Sequence, residues 1–203
     1  MVNRLQPHKR KKWLRWLNMV LVIYLLGGVA LYMLQDRILF HPEALERDKS
    51  YGFSAAFREM NVAVDETSNM NIVQFLAKDS LPAGVVLYFH GNRKNISWYA
   101  PYAAGFTQNG YEVWMIDYPG FGKSTGNLTE QKLYDDAEQL YVMALSKFAA
   151  EHIIIYGKSL GTGIASWLGA KRTCKRLILE TPYYSMTSLV QRYLPVYPAG
   201  TLL

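Results

Sequence analysis

The sequence predicts an α/β fold in which a mostly parallel sheet carries helices on both of its faces. Short apolar runs recur along the chain, as expected of parallel strands that are buried on both sides. Longer segments with helical spacing of apolar residues separate these runs, and strands that alternate with helices form α/β sheets. The 203 residues allow one domain and an appendage, and the content of 50% hydrophobic and 19% charged residues is typical of a globular protein.

Positive charge is concentrated in residues 1–15, which we interpret as a basic cytoplasmic arm. Removing the six cations of this arm from the 22 Lys and Arg leaves 16, which equals the number of Asp and Glu. A neutral remainder behind a basic arm argues against a nucleic-acid-binding domain. The six cations are Arg4, Lys9, Arg10, Lys11, Lys12 and Arg15.

The next segment, residues 16–35, contains no charged residue and predicts a transmembrane helix that contacts the lipid bilayer. Twenty residues span about 30 Å as an α-helix, which matches the hydrocarbon core of a bilayer. Because the cations precede the span, the N-terminus is expected in the cytoplasm and the domain outside it, in the periplasm if the source is bacterial. Two alternatives stay open: a signal peptide cleaved near residues 28–30, and a buried helix of a soluble protein.

The polar residues 36–50 include Pro42 and predict a connector, after which a partial α/β domain is expected over residues 51–203. Strands are predicted at residues 58–64, 72–77, 85–89, 113–116, 153–156 and 177–179. Helices are predicted at residues 97–109, 130–149 and 160–171.

Residues 153–163, with the sequence IIIYGKSLGTG, end a predicted strand in a glycine-rich turn that allows three interpretations. A P-loop requires a glycine five positions before Gly-Lys-Ser, but in the two Gly-Lys-Ser triplets these positions hold Asp117 and His152. A dinucleotide-binding turn, with Glu180 contacting a ribose, stays open as an alternative. Such folds, however, place this turn after their first strand.

The third interpretation is the pattern G-x-S-x-G, in which Ser159 lies on a strained strand-to-helix turn and acts as a nucleophile. The loop HGN at residues 90–92 follows a predicted strand, at the place where a backbone N–H completes an oxyanion hole. The N–H of Leu160 supplies the second donor. The loop DYPGFGKS at residues 117–124 follows the next strand, so all three loops are expected at the carboxyl edge of the sheet.

The motifs HGN, DYPGFGKSTG, YGKSLGTG and LILETPYYS, in this order, resemble the membrane-anchored α/β-hydrolase family of serine hydrolases, the bud-emergence-like branch. The likeness includes the N-terminal span and the QDRILFHP that follows it. It implies an α/β-hydrolase fold with Ser159 as nucleophile and the backbone amides of Asn92 and Leu160 as oxyanion donors. It also implies acyl transfer from an ester, thioester or amide, on a small-molecule or acylated substrate, without a cofactor.

The sequence departs from this family after Ser159. In the fold the triad order is serine, acid, histidine, but no histidine follows Ser159. Glu180 is the only acid after Ser159 and is a candidate for the triad acid. The resembling family has its acid after a further strand, so we expect a C-terminally truncated domain that lacks its last strands, impaired activity, and an exposed apolar edge at residues 177–179. The four histidines are His8, His41, His90 and His152.

Two other functions stay open: a catalytically inactive, membrane-anchored binding protein, and a nucleotide-binding enzyme. His90 is interpreted as a structural loop residue, and Asp117 and Ser124 as turn formers. Tyr183 and Tyr184 suggest an aromatic wall of a substrate pocket. No His, Cys or acidic cluster has the spacing of metal ligands, so no metal is expected.

Overall fold

The structure is a computed structural model that describes residues 7–202, with side chains over residues 11–200. Residues 1–6 of the predicted basic arm lie outside the described residues. Contacts divide the chain into two compact units. One is Phe40–Tyr184, and the other comprises the N-terminal helix together with the residues from Ser185 on.

Helix α1, Pro7–Leu39, contains the predicted span and extends beyond both of its ends. Its segment Lys11–Leu39 is long and apolar enough to cross a membrane, and the most apolar 18-residue window of this segment has a mean hydropathy of 2.1. None of the most apolar window is buried within the described structure. That exposure weighs against the alternative of a buried helix, since a core helix of a soluble protein is mostly covered.

Two short strands form a small sheet of their own. β1, His41–Pro42, follows α1 and pairs in parallel with β5, Arg93–Lys94. The main sheet has six strands, which are β2 Phe57–Ala63, β3 Asn69–Phe75, β4 Gly84–Phe89, β6 Tyr111–Ile116, β7 Ile153–Lys158 and β8 Arg176–Glu180. Their order across the sheet is β2-β3-β6-β4-β7-β8.

The six predicted strands are confirmed, with ends that shift by up to three residues. β2 pairs antiparallel with β3, and β3 pairs antiparallel with β6. The remaining strands are parallel, and every residue of the central strand β4 is buried. The sheet is therefore mostly parallel, as the continuous apolar runs predicted.

The helix predicted over residues 97–109 is wrong. The segment instead forms α2, Ile96–Tyr99, a 3₁₀ turn over Ala100–Ala103, and α3, Ala104–Thr107. Pro101 lies in the 3₁₀ turn, where it lacks the N–H that a continuous α-helix needs.

Two longer helices pack against the sheet and each other. α4, Glu130–Leu145, ends before the predicted residue 149, and α5 is Leu160–Lys171, as predicted. Helices α2 and α3 lie on the face that includes Val86 and Tyr88 of β4. Since successive strand residues point to opposite faces, α4 and α5 cover the other face.

The edge strand β8 pairs only with β7 among the described strands. Leu177 and Leu179 are 39% and 36% exposed there, which agrees with the predicted apolar edge. The last described helices, α6, Met186–Tyr193, and α7, Ala199–Leu202, belong to the unit of α1. In that unit the ring of Tyr197 stacks on Tyr24, with 4.6 Å between centroids.

Candidate active site

Ser159 is the single residue between strand β7 and helix α5. Its backbone has φ 50° and ψ −116°, a conformation that L-residues rarely adopt and that costs about 1–3 kcal/mol. The surrounding backbone holds it in place. Its N–H donates to the carbonyl of Glu180 at 2.9 Å, and its carbonyl accepts from the N–H and hydroxyl of Thr162 at 2.9 and 2.6 Å. Ser159 therefore has the strained turn expected of a nucleophile.

The two glycines that flank Ser159 in the motif occupy positions without room for a side chain. A Cβ on Gly161 would lie 2.0 Å from the carbonyl oxygen of Phe89. A Cβ on Gly157 would lie 2.3 Å from the carbonyl oxygen of Gly161 and 2.7 Å from the Cβ of Ala165. Only glycine allows β4, β7 and the start of α5 to approach this closely.

The HGN loop lies beside Ser159. A Cβ built on Gly91 would lie 3.7 Å from the Cβ of Ser159 and 2.8 Å from the hydroxyl of Tyr99. Asn92 is the next residue in this loop, and Leu160 is the first residue of α5. The first N–H groups of a helix have no intrahelical acceptor, so they are suited to binding a negative charge. The structure thus brings three of the predicted site residues, Ser159, Asn92 and Leu160, to one edge of the sheet.

His90 is fully buried in the core under this loop. Its Nδ1 lies 2.7 Å from the carbonyl oxygen of Gly91, and its ring stacks on Tyr99 with 4.9 Å between centroids. Its Nε2 lies 3.5 Å from Oδ1 of Asp117, but without hydrogen-bond geometry, so this nitrogen has no hydrogen-bond partner among the described residues. This environment fits the structural role that the sequence indicated.

Asp117 does more than form a turn. Its fully buried carboxylate accepts a hydrogen bond from the backbone N–H of Ile96 at 2.9 Å and from the hydroxyl of Tyr51 at 3.1 Å. Its carbonyl accepts from the hydroxyl of Ser124 at 2.6 Å. Burial, then the charge of Asp117, raise the pKa of Tyr51. No pattern in the sequence indicated a role for Tyr51, which lies 66 positions from Asp117 along the chain.

Glu180, the candidate triad acid, is the register partner of Lys158 on the neighbouring strand. Its carboxylate accepts hydrogen bonds from the ammonium of Lys158 and the hydroxyl of Tyr156. These bonds, from Lys158 first and Tyr156 second, lower the pKa of Glu180. Lys158, at the second position of the G-x-S-x-G motif, is therefore paired with Glu180.

The two tyrosines after β8 differ in environment. The hydroxyl of Tyr183 lies 3.4 Å from the carbonyl oxygen of Leu160, and it is 2.6 Å from a Cβ built on Gly163. Tyr184 is 98% exposed. Of the two, only Tyr183 packs against the start of helix α5. Over the described residues, no group of three or more His, Cys, Asp or Glu is arranged to hold a metal ion.

Comparison with known proteins gives a family match and several curated relatives. The family model described as "Serine aminopeptidase, S33" matches residues 80–199. The chain is 34% identical to lysophosphatidylserine lipase ABHD12 of Danio rerio over 131 residues, covering 55% of this chain and 33% of that protein. It is 33% identical to protein bem46 of Schizosaccharomyces pombe over 115 residues, covering 54% of this chain and 38% of that protein. The chain thus spans only about a third of the length of these relatives.

Solved structures share the fold at lower identity. An α/β hydrolase from Vibrio vulnificus has a TM-score of 0.59 at 23% identity, covering 72% of this chain and 52% of that one. A soluble variant of monoglyceride lipase from Saccharomyces cerevisiae has a TM-score of 0.56 at 18% identity, covering 75% and 53%. Because the family model matches more than half of the sequence, the chain belongs to the family that this model describes, and it has the α/β-hydrolase fold.

Proposed function

We propose that this chain carries the nucleophile and oxyanion hole of a membrane-anchored serine hydrolase that cleaves an ester, thioester or amide by acyl transfer. In this proposal the hydroxyl of Ser159 attacks the substrate carbonyl. The backbone amides of Asn92 and Leu160 stabilise the oxyanion that forms. The observation that carries the proposal is the strained backbone of Ser159 directly beside the HGN loop.

The substrate class follows from two supporting observations. Two of the proteins compared above are a lysophosphatidylserine lipase and a monoglyceride lipase by name. Helix α1 has the length and hydropathy of a membrane span. We therefore propose a lipid or acylated substrate, with residues 16–35 in the bilayer, residues 1–15 in the cytoplasm, and the hydrolase domain on the other side of the membrane.

A general base for Ser159 is missing from the 203-residue sequence, which has no histidine after that residue. Both ring nitrogens of His90 lie near other oxygens, those of Gly91 and Asp117. Loss of the histidine of such a triad can lower kcat by about 10⁶. The 203-residue polypeptide alone is therefore proposed to be an impaired hydrolase, with Glu180 as the candidate acid.

The test is acylation of the full chain in detergent by p-nitrophenyl butyrate, with and without added imidazole as an external base. We expect negligible turnover without imidazole, and with imidazole a butyryl group on Ser159 that intact and peptide mass spectrometry detect. Ser159→Ala must lose this product, whereas Ser80→Ala, at an exposed serine of the loop before β4, must keep it. Acylation of other serines at the same rate would overturn the role of Ser159. Turnover far above that of Ser159→Ala without imidazole would overturn the impairment.

A second candidate is a non-catalytic membrane protein that uses the domain for binding, which fits the absence of a histidine after Ser159 within these 203 residues. It makes the opposite prediction for the same experiment, because Ser159 would then show no selective acylation under either condition.

A further inference from the structure

We infer that residues 93–102, here called the interfacial segment, contact the surface of the bilayer that helix α1 crosses. The candidate oxyanion loop would then lie at the level of the lipid headgroups, and a substrate would reach Ser159 from the lipid phase. The inference deepens the proposed function and rests on the proposed membrane span.

The first step is a tether within the domain. β1 directly follows α1 in the chain and is hydrogen-bonded to the interfacial segment. The backbone N–H of His41 donates to the carbonyl of Asn92 at 2.9 Å, and that of Glu43 donates to the carbonyl of Lys94 at 3.2 Å. The side-chain amide of Asn95 donates to the carbonyl of Glu43 at 2.8 Å. These bonds fix the start of the domain to the loop that carries Asn92.

The second step is chain length. Gln35 ends the uncharged stretch, and the six residues from there to His41 reach at most about 20 Å when fully extended. A domain of this size has a radius of gyration of about 15 Å and hence a diameter of about 40 Å. A point held within 20 Å of the hydrocarbon edge belongs to the half of the domain nearer the membrane. The 20 Å limit itself comes from covalent geometry and holds for any orientation of the domain.

The third step is the chemistry of the segment. Trp98 and Tyr102 are 63% and 45% exposed and lie four residues apart on successive helical turns. Trp and Tyr are enriched at membrane interfaces because each combines an apolar ring with a polar group. Arg93 and Lys94 are also exposed, and cations attract phosphate headgroups. The ammonium of Lys94 pairs with Glu43 at 2.7 Å, so Arg93 is the stronger candidate for a headgroup contact.

The segment also contacts the loop that lies beside Ser159. Tyr99 lies between the two exposed aromatic residues but is itself buried, with its hydroxyl against Gly91. Gly91 in turn lies beside Ser159. A lipid bound along Trp98 and Tyr102 would therefore have its polar end close to the proposed oxyanion hole.

The test is electron paramagnetic resonance of spin labels on the full chain, reconstituted in vesicles of phosphatidylcholine and phosphatidylglycerol. Cys174 is the only native cysteine and is first replaced by serine. Labels are then placed through Trp98→Cys and Tyr102→Cys, and through Leu81→Cys as a matched control. Leu81 is 87% exposed just before β4, at the opposite end of that strand from the HGN loop. A label through Leu21→Cys reports on the span itself.

We expect the ratio of accessibility to oxygen over a water-soluble nickel chelate to be several-fold higher at positions 98 and 102 than at position 81. Equal ratios at the three positions would overturn the inference, and so would a water-like ratio at position 21. Because this measurement requires no hydrolysis, its failure is distinct from a failure of Ser159 to be acylated.

Discussion

The backbone N–H of His41 donates a 2.9 Å hydrogen bond to the carbonyl oxygen of Asn92, which couples the start of the domain to the candidate oxyanion loop. His41→Pro removes this donor, whereas His41→Ala keeps it. A net loss of about 1 kcal/mol corresponds to a several-fold faster exchange of the amides at residues 91–96. Hydrogen exchange with mass spectrometry should show this effect for His41→Pro alone. Equal exchange in the two variants would mean that the bond does not hold the loop.

Gly161→Ala tests the packing of the strained turn. The new Cβ would lie 2.0 Å from the carbonyl oxygen of Phe89, a backbone atom that cannot rotate away. We expect the free energy of unfolding to fall by about 3 kcal/mol or more. Gly105→Ala is the matched control, because its Cβ meets nothing within 4 Å, and it should stabilise helix α3 by about 0.5–1 kcal/mol. Denaturant unfolding measures both, and effects of equal sign would contradict the prediction.

Asp117→Ala tests the buried carboxylate. It leaves the N–H of Ile96 and the hydroxyl of Tyr51 without this acceptor, so we expect a loss of about 2–4 kcal/mol in the free energy of unfolding. In a double-mutant cycle with Tyr51→Phe, the coupling energy should be about 1 kcal/mol. Glu66→Ala, at an exposed acid, should change stability by less than about 0.5 kcal/mol. A coupling energy near zero would show that the Tyr51 contact contributes nothing.

We predict that the effect of Glu180→Gln on the free energy of unfolding depends on pH. The hydrogen bonds from Lys158 and Tyr156 hold the pKa of Glu180 below its ordinary value of 4.5. Its ionised form therefore stabilises the fold above about pH 4.5, and this contribution disappears as the pH falls through the lowered pKa. Because the pair is partly exposed, we expect the variant to lose only about 0.5–1 kcal/mol near pH 7 and almost nothing near pH 3. Unfolding at both pH values measures this, and an equal loss at both would exclude the charge as its cause.

The proposed orientation in the membrane depends on the N-terminal cations. Replacing Lys9, Arg10, Lys11, Lys12 and Arg15 by glutamine should reduce the fraction of chains whose domain lies outside the cytoplasm, since positive charge retains a flank on the cytoplasmic side. Protease accessibility in sealed, right-side-out vesicles measures that fraction. Glutamine at Lys171, Arg172 and Lys175, far from the span in sequence, is the control and should leave it unchanged. An unchanged fraction in the arm variant would contradict the positive-inside interpretation.

The elements that rest on local pattern could be predicted from the sequence. The continuous apolar run of β7 and the glycines around Ser159 predicted a strand, a strained turn and helix α5, and all three are present. This worked because close backbone approach leaves only glycine at such positions. By contrast, the helix predicted over residues 97–109 rested on the length of that segment between two strands, and length alone takes no account of Pro101.

Long-range contacts could not be predicted in the same way. Asp117 and Tyr51 are 66 positions apart, and nothing in either local sequence indicates their hydrogen bond. The pairing of β1 with β5 involves two residues on each strand, too few to produce an alternating pattern. Both features connect residues near the start of the domain to the candidate site, and both became visible only once the folded chain placed these distant residues side by side.

The conformation of Ser159 has a consequence for how this sequence can change over generations. At φ 50° a glycine would relieve local strain, so drift toward greater stability alone would favour losing the serine. A serine that persists there in natural variants of this chain would be evidence of selection for the hydroxyl itself. Its replacement by glycine among them would instead indicate a lineage that has given up acyl transfer and kept the fold.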